Sequence, residues 1–228
     1  MKTKILFEDN AILVIHKPSG LATQTGQLSQ ADVVSELKNY LGNNPYLGVI
    51  HRLDQPVEGI LVFAKTPSAA AKLSAGLQED TLHKQYLALT LELPLESEGV
   101  LKDYLLKSGK DNTSAVVRKE TSEAKYSELG YKVLQSGKFN SDLETRVSLV
   151  EVTLKTGRHH QIRVQMAHHG MALIGDQKYA DEKTREFASK AGIKNVTLCA
   201  YKLEFDHPVT KKKMCFQIEP GWKTFADK

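Results

Sequence analysis

Cysteine is scarce: Cys199 and Cys215 are the only two in 228 residues. Two thiols in a chain this long make no disulfide framework, and no CxxC pair suggests a zinc site. If 196–206 and 213–219 are neighbouring strands, the two thiols lie near each other as inert, partly buried groups. Long apolar runs are missing too. Nothing approaches the ~20 apolar residues of a membrane span, and charges interrupt MKTKILFEDNAILVIHK before it can read as a signal peptide. A cytoplasmic protein is the expectation. No phosphate-cradling GxxxxGK(S/T) loop and no HExxH pair occur. Charge of one sign is not in large excess: 31 Lys plus Arg face 27 Asp plus Glu, for a net +4. That balance permits a nucleic-acid partner without requiring one, because a local basic face matters more than the total. Internal repeats, low-complexity segments and obvious linkers are absent. With 41% hydrophobic and 25% charged residues, the chain reads as an ordinary globular protein of one large domain or two small lobes.

The periodicity predicts an opening hairpin, Lys4–Phe7 and Ile12–His16, turning at Asp9-Asn10 and ending at Pro18-Ser19-Gly20. Ser29 is expected to cap a helix over about 30–41, with Val33, Leu37 and Leu41 on one face. Short strands are expected at Val49–Leu53 and Ile60–Ala64. Thr66-Pro67 opens a second helix, with Pro in its favoured first turn. A strand at Lys84–Thr90 precedes a stretch from Pro94 to about Ser114 that reads as irregular. Strands at Ala124–Leu134 and Thr145–Leu154 flank a Ser/Gly/Asn turn at 136–141. A helix runs from about His159 to His169 and stops at Gly170, and a charged surface helix falls within 181–194. Strands outnumber helices and follow one another directly. The fold class is therefore α+β, with a central mixed, mostly antiparallel sheet.

Three stretches carry chemistry. His51-Arg52-Leu53-Asp54 ends a predicted strand and enters the loop Gln55-Pro56-Val57-Glu58-Gly59, a carboxylate on a loop fixed by scaffold. Alone, such an Asp is more often a turn-former. Gly157-Arg158-His159-His160-Gln161-Ile162-Arg163 gathers basic groups at a helix N-terminus, which suits a phosphate; the plain alternative is a solvated basic helix start. The histidines at 159, 160, 168 and 169 offer no metal pair of the HExxH kind, so no metal is expected. Lys84-Gln85-Tyr86 puts a Tyr on a strand, where most pack in a core and some stack on a base.

The combination is more specific than any part. ILVIHKPSG at 12–20, HRLDQPVEGILVFAK at 51–65, KQYLAL at 84–89, GRHHQIRVQMAHHGMALIGDQKY at 157–179 and LCAYKLEFDHPVT at 198–210 resemble, in order, the blocks of the RluA-type pseudouridine synthases. The resemblance implies the pseudouridine synthase fold and one catalytic domain over 1–228, without an S4-type extension ahead of it. It implies Asp54 as the catalytic carboxylate, Tyr86 as the active-site Tyr and Arg163 as the basic residue beside Asp54. Arg52, Arg158 and His160 become candidate RNA contacts. The implied partner is structured ribosomal or transfer RNA, bound by a monomer with a uridine flipped from its stack, and no cofactor is needed. The chain departs from the family where Val57-Glu58 stands in place of the usual Thr-Ser, and in the loop after Gly20.

Two other readings stand beside this one. A binding protein that kept the fold and lost turnover is disfavoured by intact Asp54, Tyr86 and Arg163. A glycosidic-bond hydrolase would pair Asp54 with a second acid such as Glu58, within the ~5–10 Å such enzymes need.

Overall fold

A computed structural model describes residues 1–26, 30–43, 45–91, 94, 96–140 and 143–222, without the side chains of 140, 143 and 144. In chain order the elements are β1 (Lys4–Glu8), β2 (Ile12–Lys17), α1 (Val33–Leu41), β3 (Gly48–Val49), β4 (Glu58–Ala64), α2 (Pro67–Gln78), β5 (His83–Leu91), β6 (Glu98–Lys107), β7 (Ser114–Val117), β8 (Lys125–Asn140), β9 (Leu143–Leu154), α3 (Gln161–His168), α4 (Glu182–Lys190), β10 (Leu198–Asp206) and β11 (Lys213–Gln217). They divide into two compact units: Met1–Lys84 with Cys199–Pro220, and Gln85–Leu198 with Gly221–Lys228.

In the first unit the strand order is β1-β2-β4-β10, with β11 beside β10 and β3 beside β4. Every pairing is antiparallel except β4 with β10. β4 is buried along its whole length, which explains its unbroken apolar run at Ile60–Ala64 instead of an alternating one. On one face Ile60, Val62 and Ala64 pack with Ala69 and Leu73 of α2 and with Leu203 and Phe205 of β10. Gly59 is dictated by that parallel neighbour. Its φ is +143°, and a Cβ there would lie 2.5–2.7 Å from Ala200. The opening turn is an Asx turn: Asp9 Oδ1 accepts the N–H groups of Ala11 and Ile12 at 2.7 and 2.8 Å. Its other oxygen lies 2.9 Å from Nε2 of buried His207, just past β10.

In the second unit β5-β9-β8-β6-β7 form an all-antiparallel series. Leu89, Val147, Ile174, Phe187 and Ala188 make a core cluster that buries the apolar face of α4. α3 ends in a Schellman arrangement: the Met171 N–H reaches Met166 O at 2.7 Å, the Gly170 N–H reaches Ala167 O at 3.1 Å, and Gly170 takes φ +73°.

Several expectations need correction. Asp32, not Ser29, caps α1: its Oδ1 accepts the Ser35 N–H at 2.7 Å, so the helix starts at Val33, while Ser29 lies outside the described residues. The strand expected at 49–53 stops at Val49, and His51–Asp54 is irregular chain. The stretch from 94 to 114 contains β6, whose charged residues obscured it but which pairs with both β7 and β8. The supposed turn at 136–141 is strand through Asn140. Cys215 pairs with Glu204, several residues along β10 from Cys199. At ~3.4 Å per residue the thiols are well apart, one buried and one exposed. Among the described residues, no helix is long and apolar enough to cross a membrane.

Candidate functional site

In the first unit, two loops are tied together around Asp54. The chain from 53 to 57 turns, with the Asp54 carbonyl accepting the Val57 N–H at 3.0 Å. The segment following β2 grips both sides of that turn. Thr23 Oγ1 donates to Leu53 O at 2.8 Å and accepts the Leu53 N–H at 3.1 Å. Ser19 Oγ donates to Pro56 O at 2.5 Å, and the Gly20 N–H donates to Gln55 O at 2.9 Å. Deepest is Lys17, with none of its surface exposed. Its Nζ donates to Leu21 O at 2.6 Å, Pro18 O at 3.1 Å and Gln55 O at 3.2 Å. One ammonium therefore holds carbonyls from both loops, which joins the block at 12–20 to the block at 51–65. Burial lowers the Lys17 pKa to about 8, against the opposing pull of Asp54 and then Glu58.

Asp54 itself is half-buried and Arg52 is exposed. His51 is buried, and its pKa is pushed well below the usual imidazole value by desolvation and then by Lys84. It stays neutral and accepts the Val62 N–H through Nε2 at 3.4 Å. Glu58 is buried in β4, with Oε2 3.8 Å from Nε2 of His16.

In the second unit, α3 carries the other block. Arg163 is 4% exposed and forms a bidentate pair with Asp176, itself 1% exposed. Nε donates to Oδ2 and Nη2 to Oδ1, each at 2.7 Å. Asp176 Oδ1 also accepts the N–H groups of Lys178 and Tyr179 at 2.9 and 3.2 Å, and the Tyr179 ring lies 5.1 Å from the guanidinium carbon. Gly175 just before it has φ +79°, and a Cβ would collide with Asn195 O at 2.1 Å. Asp176 engages two of the five guanidinium donors. It was not anticipated from the sequence, although it lies in the same quoted block. The unassigned acid following Gly175 in GDQKY was the available signal. Lys17 and Thr23 were missed in the same way.

His160 is buried and left-handed at φ +54°, capping α3 without a side-chain bond to the helix. Its Nδ1 lies 2.7 Å from the Tyr179 hydroxyl, which accepts the Ser114 N–H at 2.9 Å. Its ring stacks on His159 at 3.7 Å. Arg158 is exposed, with Nε donating to Tyr126 O at 2.9 Å. Tyr86 is buried on β5, opposite Val152 of β9. The assigned residues thus fall into two sets: Arg52 and Asp54 in one unit, and Tyr86, Arg158, His160 and Arg163 in the other.

The fold is that of the pseudouridine synthases. Human RNA Pseudouridylate Synthase Domain Containing 1 matches with a TM-score of 0.77 at 22% identity, over 95% of this chain and 83% of that one. The human domain-containing 4 protein gives 0.73 at 24% identity, over 95% and 88%. The family model described as RNA pseudouridylate synthase matches residues 11–168. A protein named tRNA pseudouridine synthase C from Vibrio parahaemolyticus is 30% identical, over 98% of this chain and 93% of its own length. The chain belongs to the RNA pseudouridylate synthase family. It is also 33% identical to the ribosomal large subunit pseudouridine synthase C of Pasteurella multocida, over 92% of this chain, and spans 62% of that relative's length.

Proposed function

We propose that the protein is an RNA pseudouridine synthase that isomerises uridine in ribosomal or transfer RNA, with Asp54 as its essential carboxylate. The clamp on the Asp54 turn supports this reading most directly. Thr23, Ser19, Gly20 and Lys17 fix the backbone on both sides of one half-buried acid. Such rigidity is what a positioned reacting group requires.

The reaction breaks the N1–C1′ bond, turns the uracil and joins C5 to C1′, while the C5 proton is lost and N1 gains one. It is redox-neutral and moves no phosphoryl group. Asp54 in its ionised form attacks C1′, attacks C6 of the base, or removes a sugar proton. Arg163, whose Nε and Nη2 are held by Asp176, is the proposed ion-pair partner of Asp54. Tyr86 stacks under the uracil and accepts the C5 proton through its hydroxyl. Extruding a uridine from its stack costs a few kcal/mol, offset by backbone contacts from Arg52, Arg158 and His160. RNA is thus the partner, bound as a stem-loop by a monomer in the cytoplasm.

Transfer or ribosomal RNA carrying tritium at C5 of uridine tests this, because every turnover releases that label to water. Wild-type protein should release it, and Asp54→Asn should not, while RNA affinity stays within roughly tenfold because the contacts to the phosphate backbone are unchanged. Continued release by Asp54→Asn would remove the carboxylate from the mechanism. Free uracil among the products would replace the synthase with a hydrolase.

A further inference from the structure

We propose that Asp103, His168 and His169 form a binding site for one divalent transition-metal ion, with zinc the best match to the donor set. Read along the chain, the histidines near α3 lack a third partner. The fold supplies it from β6, a strand that the sequence does not announce. One ligand atom from each of the three residues lies within 4.8 Å of the others. His169 Nε2 sits 3.2 and 3.1 Å from the two Asp103 oxygens. Two ligands on one tetrahedral zinc with bonds of ~2.0–2.2 Å are separated by about 3.4 Å, so this pair already stands at the required spacing. The two imidazole rings are edge-to-face, with centroids 5.2 Å apart and planes at 87°. With all three ligand atoms within 4.8 Å of one another, closing to a spacing of about 3.4 Å asks for a shift of at most about 1.4 Å by the exposed side chain of His168.

The acid is prepared for a cation. The Asp103 side chain is only 8% exposed, and its Oδ2 accepts a 2.7 Å bond from Gln165 Nε2. Gln165 is fully buried and also donates to Leu101 O and Ser127 O at 3.3 and 3.4 Å. A buried amide orienting a ligating carboxylate is the kind of outer-shell support that metal sites use. The backbone is fixed as well: the His169 N–H bonds Gln165 O at 3.1 Å within the Schellman turn. Both histidines sit at the C-terminal end of α3, where the helix dipole favours positive charge. Two imidazoles and one carboxylate suit zinc, nickel or cobalt, whereas magnesium and calcium prefer all-oxygen sets. The exposure of the histidines leaves the fourth position to water. A bound ion would link β6 to α3, the helix that carries Arg163.

The same distances also serve a simple Asp–His hydrogen bond, so the test must separate the two. Untagged full-length protein, stripped with chelator and dialysed, is titrated calorimetrically with zinc chloride and, in parallel, with magnesium chloride. The expected result is one zinc bound with roughly micromolar affinity, a raised melting temperature and no magnesium uptake. Asp103→Asn, His168→Ala and His169→Ala should each weaken zinc binding about tenfold or more. His168→Ala is the decisive variant, because the Asp103–His169 bond does not involve it and the fold should be retained. Absence of zinc uptake by the wild type, or unchanged affinity in His168→Ala, would overturn the proposal and leave an Asp–His pair.

Discussion

Lys17 is the residue whose physics is most exposed to test. Its pKa is about 8 against an ordinary 10.5, because burial penalises the charge more than Asp54 and Glu58 support it. The folded chain therefore releases this proton at a lower pH than the unfolded chain. Below pH 8 both forms are protonated, and the buried charge costs about 3 kcal/mol. Between pH 8 and 10.5 the unfolded chain binds more protons, so this group's contribution to stability rises with pH. Deprotonation also leaves two N–H groups to serve three carbonyls, which loosens the Asp54 turn. Turnover should fall with a midpoint near pH 8 while the stability of wild type relative to Lys17→Met rises. A rate that stays level well past that midpoint would separate the clamp from catalysis. Arg163 and Asp176 are coupled more simply. Asp176→Asn takes the bidentate carboxylate away from a buried guanidinium and should cost about 3–5 kcal/mol in urea unfolding. A loss under 1 kcal/mol would mean that other acceptors balance Arg163 (exposed pairs are worth about that little).

At the scale of elements, the caps separate helices that stand on local signals from those that tertiary contacts finish. α4 begins at Asp181, whose Oδ1 accepts the Thr184 N–H at 2.8 Å, and the sequence alone placed a helix there. α1 begins at Asp32, which does two things at once: Oδ1 caps Ser35, and Oδ2 accepts the Thr25 N–H at 2.8 Å from the preceding loop. That acid is 3% exposed. Asp181→Ala should cost about 1 kcal/mol, and Asp32→Ala about 2 kcal/mol or more, since it also orphans a second N–H. Equal losses in thermal unfolding would refute the second role. α2 and the end of α3 were legible because Thr66-Pro67 and Gly170 act through their own backbone preferences. β6 was not, because its strand character comes from pairing with β7 and β8, and its charged residues fall on both faces: Glu98 and Lys102 are exposed, while Asp103 turns inward beside Gln165. His51–Asp54 misled in the opposite direction: its residues look like strand, but Thr23 takes both backbone groups of Leu53 that a ladder would have used.

At the scale of the whole molecule, the first unit is assembled from two distant parts of the chain, Met1–Lys84 and Cys199–Pro220. β10 returns to lie parallel to β4, with Cys199 opposite Glu58 and Ala200 opposite Gly59. A fragment ending at Lys84 would leave Glu58 and Gly59 of β4 without their partner on that edge and lose Leu203 and Phe205 from the core, at about 2–3 kcal/mol of lost burial for each large side chain. It should therefore show no cooperative urea transition by circular dichroism, whereas the whole chain should. A sharp transition in the fragment would show that the returning strand is dispensable.

The amino-acid sequence by itself determined the α+β class, the approximate places of α1, α2, α3 and α4, and the blocks that hold Asp54, Tyr86 and Arg163. Those features rest on caps, periodicities and motifs that act over a few residues. Tertiary structure alone decided that Lys17 would grip the Asp54 turn, that Asp176 would hold Arg163, and that Asp103 would meet two histidines. Each of these depends on a buried charge finding a partner beyond the reach of a single helix turn or strand pair: 13 residues away for Arg163 and Asp176, 38 for Lys17 and Gln55, and 66 for Asp103 and His169. Local spacing carries no record of that choice, because desolvation selects the partner only once the core has closed.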